Sequence, residues 1–106
     1  MKSIQMLELK SHFENLQKDE LILDVRTPAE FTESHVPNAK HIPFDLVMNH
    51  VDELKHFKNV YVYCRSGSRS YNACAILESL GLKNLVCIDE GGMPDWNEAG
   101  YPATKP

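Results

Sequence analysis

One short segment places a cysteine among cationic and small polar residues. In VYVYCRSGSRSYNA, residues 60–73, four apolar residues are followed directly by Cys64. No acidic residue lies between Cys64 and Arg69. A helical pattern begins directly after this polar stretch. Positive neighbours and a helix N-terminus both favour the thiolate, which is the nucleophilic form of cysteine. The segment therefore predicts a reactive cysteine at the turn between a strand and a helix.

The residues that follow this cysteine are of types that suit an anion-binding loop. Backbone N–H groups that lead into a helix point towards a common centre, and glycine permits the tight curvature of such a loop. A buried structural thiol is the ordinary alternative for a cysteine, but it does not account for two arginines and a glycine within five positions. We therefore predict Cys64 as the catalytic nucleophile and the next five residues as the substrate-binding loop: Arg65, Ser66, Gly67, Ser68 and Arg69.

The composition narrows the class of protein. A chain of 106 residues with 42% hydrophobic residues is predicted to form one domain, residues 1–106, with its own core. The net charge of −4 argues against nucleic acid as the main partner. No apolar run is long enough to span a membrane, and the N-terminus lacks the apolar region of a signal peptide. Three widely spaced cysteines form no disulfide framework, which favours a reducing, cytoplasmic location.

Short apolar runs alternate with helical patterns along the chain. Strands are predicted at residues 21–25, 60–63 and 84–88, with a short extended piece at 39–43. Helices are predicted between them, and the clearest helix begins at Ser68 with an apolar stripe at Ala73, Ile76, Leu77 and Leu80. The alternation indicates an α/β fold, with a mostly parallel central sheet flanked by helices on both faces. Only the tail, residues 101–106, is predicted to be loose.

Ligands of parallel sheets bind beyond the carboxyl ends of the strands, and the unusual residues of this chain lie there. Asp24 and Arg26 follow one predicted strand, Cys64 follows the next, and residues 89–92 follow the last. Asp24 and Arg26 are interpreted as supporting residues, mainly as an ion pair that braces the loop. Arg69, at the start of its helix, is a second candidate to pair with Asp24.

We expect structural roles for the other two cysteines and for two of the histidines. Cys74 and Cys87 are expected in the core, although Cys87 is close enough to the functional rim to be a candidate for resolving a modified Cys64. His35 and His41 are expected to stabilise loops, and no cysteine or histidine spacing matches a zinc site. Two glycines at 91 and 92 are expected to turn the backbone beneath the site, and Trp96 is expected to anchor the core.

Four segments in order resemble the rhodanese-like sulfurtransferases. They are LILDVRTPAEF (21–31), SHVPNAKHIPF (34–44), CRSGSRS (64–70) and EGGMPDWNEAGYP (90–102). Ser34 and Asn38 stand where that family usually has glycine. The resemblance implies a single-domain rhodanese in which Cys64 accepts a sulfane sulfur from a donor such as thiosulfate. The resulting persulfide passes its sulfur to cyanide or to a thiol acceptor such as thioredoxin or glutathione. The implied chemistry needs no metal or organic cofactor.

Two other classes use or retain a similar loop. Cysteine-dependent phosphatases and arsenate reductases have five residues between the cysteine and the arginine, whereas four separate Cys64 from Arg69. The shorter loop makes a tighter cup, which favours a sulfane sulfur over a tetrahedral phosphate. The other alternative is a rhodanese-like binding or sulfur-carrier module. Non-catalytic binding modules usually lose the cysteine, which this chain keeps.

Overall fold

A single parallel sheet lies at the centre of the computed structural model, which describes residues 1–106. Its strands are β1 (Lys2–Gln5), β2 (Glu20–Asp24), β3 (Lys40–His41), β4 (Asn59–Tyr63) and β5 (Leu85–Glu90). They lie in the order β1-β5-β4-β2-β3, and every neighbouring pair is parallel. The predicted α/β architecture is confirmed.

Helices connect the strands and cover the sheet. They are α1 (Leu9–Glu14), α2 (Pro28–Glu33), α3 (Val51–Leu54), α4 (Ser68–Ser79) and α5 (Met93–Glu98), with 3-10 segments at Met6–Glu8 and Phe44–His50. The start of α2 follows its sequence signals, because Thr27 accepts a hydrogen bond from the Glu30 amide and Pro28 takes the first helical position. None of these helices is long and apolar enough to cross a lipid bilayer.

The sheet separates two apolar cores, and alternate side chains of β4 contribute to each of them. Val60 and Val62 face the core beneath α3 and α4, whereas Tyr61 and Tyr63 face the core beneath α1 and α5. Successive side chains of a strand point to opposite faces, so a continuous apolar run can serve both cores. Trp96 on α5 is fully buried in the second core, which confirms its predicted anchoring role.

One strand was missed, and two local predictions were wrong. The N-terminal edge strand β1 was not predicted, because Lys2–Gln5 contains no apolar run and pairs with β5 through its backbone. The tail is held in place, since Thr104 and His35 exchange two backbone hydrogen bonds of 2.8 and 3.0 Å. Leu80 is half-exposed, because α4 ends one residue earlier and its buried stripe is Ser70, Ala73, Cys74 and Leu77.

Candidate active site

The parallel strands deliver the candidate residues to one edge of the sheet. Asp24 is the last residue of β2, and Cys64 comes directly after β4. The register pairs Asp24 with Tyr63, so the end of β2 lies beside the residue that precedes the cysteine. The loop from Cys64 to Gly67 then leads into α4. The predicted position of Cys64, at a strand-to-helix turn, agrees with the structure.

Two backbone amides of the loop and first helical turn point at the sulfur. Cys64 Sγ accepts hydrogen bonds from Gly67 N at 3.1 Å and from Ser70 N at 3.3 Å. The Ser70 hydroxyl lies 3.4 Å from the same sulfur and donates to the Ile88 carbonyl at 2.5 Å. N–H groups at the start of a helix carry partial positive charge, so this cup favours a negative sulfur. Cys64 has 0% exposed surface, and substrate access requires movement around it.

Two glycines allow neighbouring backbone segments to pack closely against the cysteine loop. Gly67 has φ of +105°, in the left-handed region, and a Cβ there would collide with the Asp89 carbonyl. A Cβ on Gly92 would collide with the carbonyl oxygens of Cys64 and Arg65. The amide of Met93 donates to the Cys64 carbonyl at 3.0 Å. The predicted turn at residues 91–92 thus supports the cysteine loop from below.

The loop side chains differ in what they contact. Arg65, Ser66 and Ser68 are exposed. The Arg65 guanidinium takes part in none of the ion pairs of the chain, so it is free to bind an anion. Arg69 instead forms a two-pronged ion pair with Glu30, with N–O distances of 2.7 and 3.0 Å. The predicted pairing of Arg69 with Asp24 is therefore wrong.

Asp24 pairs instead with Arg26, as the bracing interpretation predicted. Arg26 donates to the Asp24 carboxylate through its backbone amide at 2.9 Å and through Nη2 at 2.7 Å. Tyr63 donates its hydroxyl to the same carboxylate at 2.6 Å, and Arg26 reaches the Ser34 carbonyl at 2.5 Å. Burial, followed by the Asp24 charge, raises the pKa of Tyr63, which therefore stays protonated. This network ties β2, β4 and the loop after α2 into one rigid support.

The loop after α2 is held by aromatic stacking. His35 and His41 stack on Phe31, with ring centroids 3.7 and 4.5 Å apart. His35 Nδ1 lies 2.8 Å from the Phe31 carbonyl, and His41 Nε2 lies 2.8 Å from the Arg26 carbonyl. The predicted loop-stabilising roles of both histidines are thus seen. Asn38 has φ of 66°, a left-handed conformation that favours glycine and that asparagine tolerates.

The other two cysteines are fully buried, Cys74 on the inner face of α4 and Cys87 on β5. A hydrogen bond with Cys87, together with burial, raises the pKa of Cys74, so Cys74 stays a thiol. Cys87 pairs in register with Val62, two residues before Cys64. From ordinary strand spacing, the Cα atoms of Cys87 and Cys64 are about 8 Å apart, beyond the roughly 7 Å limit for a disulfide. A direct Cys64–Cys87 disulfide would therefore need backbone movement.

Two crevices flank the cysteine loop. One, of about 180 Å³, is lined by Arg26, Glu30 and Arg65 among others. The second, of about 370 Å³, is lined by Arg26 and Arg69 with Pro28, Pro43 and Phe44. A larger cleft of about 600 Å³ contains Lys2, Lys58 and Lys83 but no residue of the cysteine loop. We place the site at the two crevices because they alone adjoin the cysteine loop. No cluster of histidine, cysteine or acidic side chains could hold a metal ion.

Three residues of the site were missed in the sequence. Glu30 was seen only as part of α2, although its place three residues after the N-cap Thr27 is itself a capping signal. Ser70 stands three positions after Gly67, and this helical spacing, which puts the two residues on one face, was the available signal. Tyr63 gave no signal beyond its place in an apolar strand, because its contact with Asp24 joins residues 39 positions apart.

Known proteins are similar to this chain in sequence. The family model "Rhodanese-like domain" matches residues 6–99. A "Sulfurtransferase" of Allochromatium vinosum is 37% identical over 89 residues, covering 84% of this chain and 82% of that protein. The "Putative sulfur carrier protein YrkF" of Bacillus subtilis is 33% identical, covering 89% of this chain but only 51% of that protein.

A solved structure extends the likeness to nearly the whole chain. A crystal structure of a rhodanese-related protein from Thermoplasma volcanium superimposes with a TM-score of 0.79 at 32% identity, covering 98% of both chains. The match includes the strands and helices that position the Cys64 loop, as well as the loop itself. The chain belongs to the rhodanese-like domain family.

Proposed function

We propose that the protein transfers a sulfane sulfur from an anionic donor such as thiosulfate to a thiol, through a persulfide on Cys64. The observation that carries the proposal is the cup around the sulfur, in which the amides of Gly67 and Ser70 point at Sγ. Arg65 is exposed beside it and has no internal counter-ion. A relative that is 37% identical is named a sulfurtransferase, which supports the same chemistry.

The transfer takes two displacement steps. The Cys64 thiolate attacks the outer sulfur of thiosulfate, the S–S bond of the donor breaks, and sulfite leaves with the bonding pair. The terminal sulfur of the new persulfide carries the negative charge, which the loop amides and Arg65 stabilise. A thiolate acceptor then attacks that terminal sulfur, and Cys64 leaves as the thiolate. We propose glutathione or thioredoxin as acceptors of this kind, with cyanide as the assay acceptor.

The site fits phosphate ester hydrolysis less well. A phosphatase loop needs an arginine that turns into the cup and grips the phosphate oxygens, but Arg69 is paired with Glu30 in the resting protein, so a phosphate would first have to displace that carboxylate. The loop also has four residues, not five, between the cysteine and that arginine. A sulfur-carrier role, as in the name of the Bacillus subtilis relative, would use the same persulfide without rapid turnover.

Steady-state kinetics on two substrates test the proposal. The wild type should form thiocyanate from thiosulfate and cyanide, and Cys64→Ser should form none. The same preparation should hydrolyse para-nitrophenyl phosphate with a much smaller specificity constant. A larger constant for the phosphate ester would overturn the proposal in favour of a phosphatase. A stable persulfide with no thiocyanate formation would identify a sulfur carrier.

A further inference from the structure

The sulfur that must react is closed off from solvent. Cys64 has 0% exposed surface, and neither of the flanking crevices reaches it. Glu30 lines the first crevice and Arg69 lines the second. Since these two side chains are bonded to each other, their ion pair lies between the crevices. Separation of the pair would join the crevices into one opening beside the loop.

The ion pair is well ordered by its surroundings. Arg69 Nη1 donates to Glu30 Oε1 at 2.7 Å, and Nη2 donates to Oε2 at 3.0 Å. The Thr27 amide and hydroxyl also donate to Oε1, at 3.1 and 3.0 Å, and fix the carboxylate at the start of α2. The hydrogen bonds from Arg69 lower the pKa of Glu30 to about 2. The carboxylate is therefore ionised at neutral pH, and protonation does not release Arg69.

An anion other than the Glu30 carboxylate can release Arg69. The guanidinium of arginine presents a planar fork of donors that fits carboxylates and other oxyanions equally well. The two side chains are 31% and 25% exposed, so solvent and solutes reach the pair. An anion with two or three oxygens that enters the second crevice, which Arg69 lines, would meet the same guanidinium donors that Glu30 now occupies.

We propose that Glu30 sets the anion selectivity of the Cys64 site. Its carboxylate occupies Arg69 in the resting protein, and an anionic sulfur donor has to displace it before the donor reaches the sulfur. Neutral molecules do not compete for Arg69, so they reach the sulfur only when the ion pair opens without them. The identity of the natural anion rests on the proposed function, whereas the competition between Glu30 and an incoming anion does not.

Alkylation of Cys64 by two similar reagents tests the proposal. Iodoacetate carries a carboxylate and iodoacetamide is neutral, so the ratio of their rates reports how well the site accepts an anion. In Glu30→Gln the amide keeps an oxygen for the Thr27 cap but frees the Arg69 charge. We expect this ratio to rise about threefold or more relative to the wild type, the scale of a partly exposed ion pair. Peptide mass spectrometry assigns the label to Cys64.

Glu33→Gln is the matched control, since Glu33 lines the same crevice, is exposed and pairs with no arginine. It removes the same charge and should change the ratio less than twofold. Glu30→Asp is a second variant, because it keeps the charge but withdraws it from Arg69, and it should also raise the ratio. An unchanged ratio in both Glu30 variants, or an equal rise in Glu33→Gln, would overturn the proposal. Because alkylation uses no sulfur donor, this result is independent of whether the protein transfers sulfur.

Discussion

The buried pair of Asp24 and Arg26 gives a prediction whose size follows from the structure. Asp24 has 0% exposed surface, Arg26 has 5%, and the Asp24 carboxylate accepts hydrogen bonds from Arg26 and from Tyr63. Asp24→Asn keeps the shape of the side chain but leaves the guanidinium without a counter-charge. It also turns an amide NH₂ towards groups that are themselves donors.

Removal of one partner from a buried ion pair costs about 3–5 kcal/mol. A domain of ordinary size is stable by roughly 5–15 kcal/mol, so this loss is a large share of the total. We expect Asp24→Asn to remain folded at low temperature but to unfold at a much lower urea concentration. Tyr63→Phe removes only the hydroxyl, which bonds Asp24 and the Val36 amide, and should cost about 1–2 kcal/mol.

Urea unfolding followed by circular dichroism measures both variants. Asp52→Asn is the matched control, because its ion pair with Lys55 joins side chains that are 95% and 57% exposed. We expect that variant to unfold at the wild-type midpoint. The combined Asp24→Asn and Tyr63→Phe variant should lose less than the sum of the two losses, since the residues share one hydrogen bond. A loss below about 1 kcal/mol for Asp24→Asn would refute the view that this pair braces the site.

Three further predictions concern the loop and its ion pair. Arg65→Ala should slow sulfur uptake from thiosulfate several-fold and leave the urea unfolding midpoint unchanged, because the Arg65 side chain is exposed and unpaired. An unchanged rate of uptake would show that Arg65 does not bind the substrate. Gly67→Ala should distort the cup, because Gly67 has φ of +105° and an added Cβ would collide with the Asp89 carbonyl. Urea unfolding should show a lower stability, and a thiocyanate assay should show a lower activity. Glu30 has a folded pKa of about 2 against an ordinary 4.5, so its stabilising effect is present above pH 4.5 and is lost as the pH falls towards 2. Acid unfolding of Glu30→Gln should lack that dependence, and equal pH profiles would contradict the assignment.

Sequence patterns predicted the parts of the fold that local chemistry determines. The apolar runs located β2, β4 and β5 to within two residues, because parallel strands are buried on both faces. Thr27 and Pro28 located the start of α2 through capping. β1 escaped prediction since an edge strand pairs through its backbone and needs no apolar side chains. The antiparallel bridge between His35 and Thr104 escaped for the same reason.

The candidate site was predicted in part. The position of Cys64 and the curvature at Gly67 follow from residue types within one loop, and the sequence shows them. The partner of Arg69 does not follow from residue types, because Asp24 at the end of β2 and Glu30 in the helix after β2 are both acidic. Only the three-dimensional path of α2 brings Glu30, 39 residues away, to the guanidinium. Choices between equivalent partners at long range depend on packing geometry, which residue types alone do not specify.

Intact-mass measurement after incubation with thiosulfate tests the central claim most directly. The wild type should gain one sulfur atom, which maps to Cys64 and which cyanide removes. Cys87→Ser should gain the same sulfur, because Cys87 is buried and out of disulfide range of Cys64. Cys64→Ser should gain none. Sulfur uptake by Cys64→Ser, or loss of uptake in Cys87→Ser with the fold intact, would refute the assignment of Cys64 as the residue that carries the sulfur.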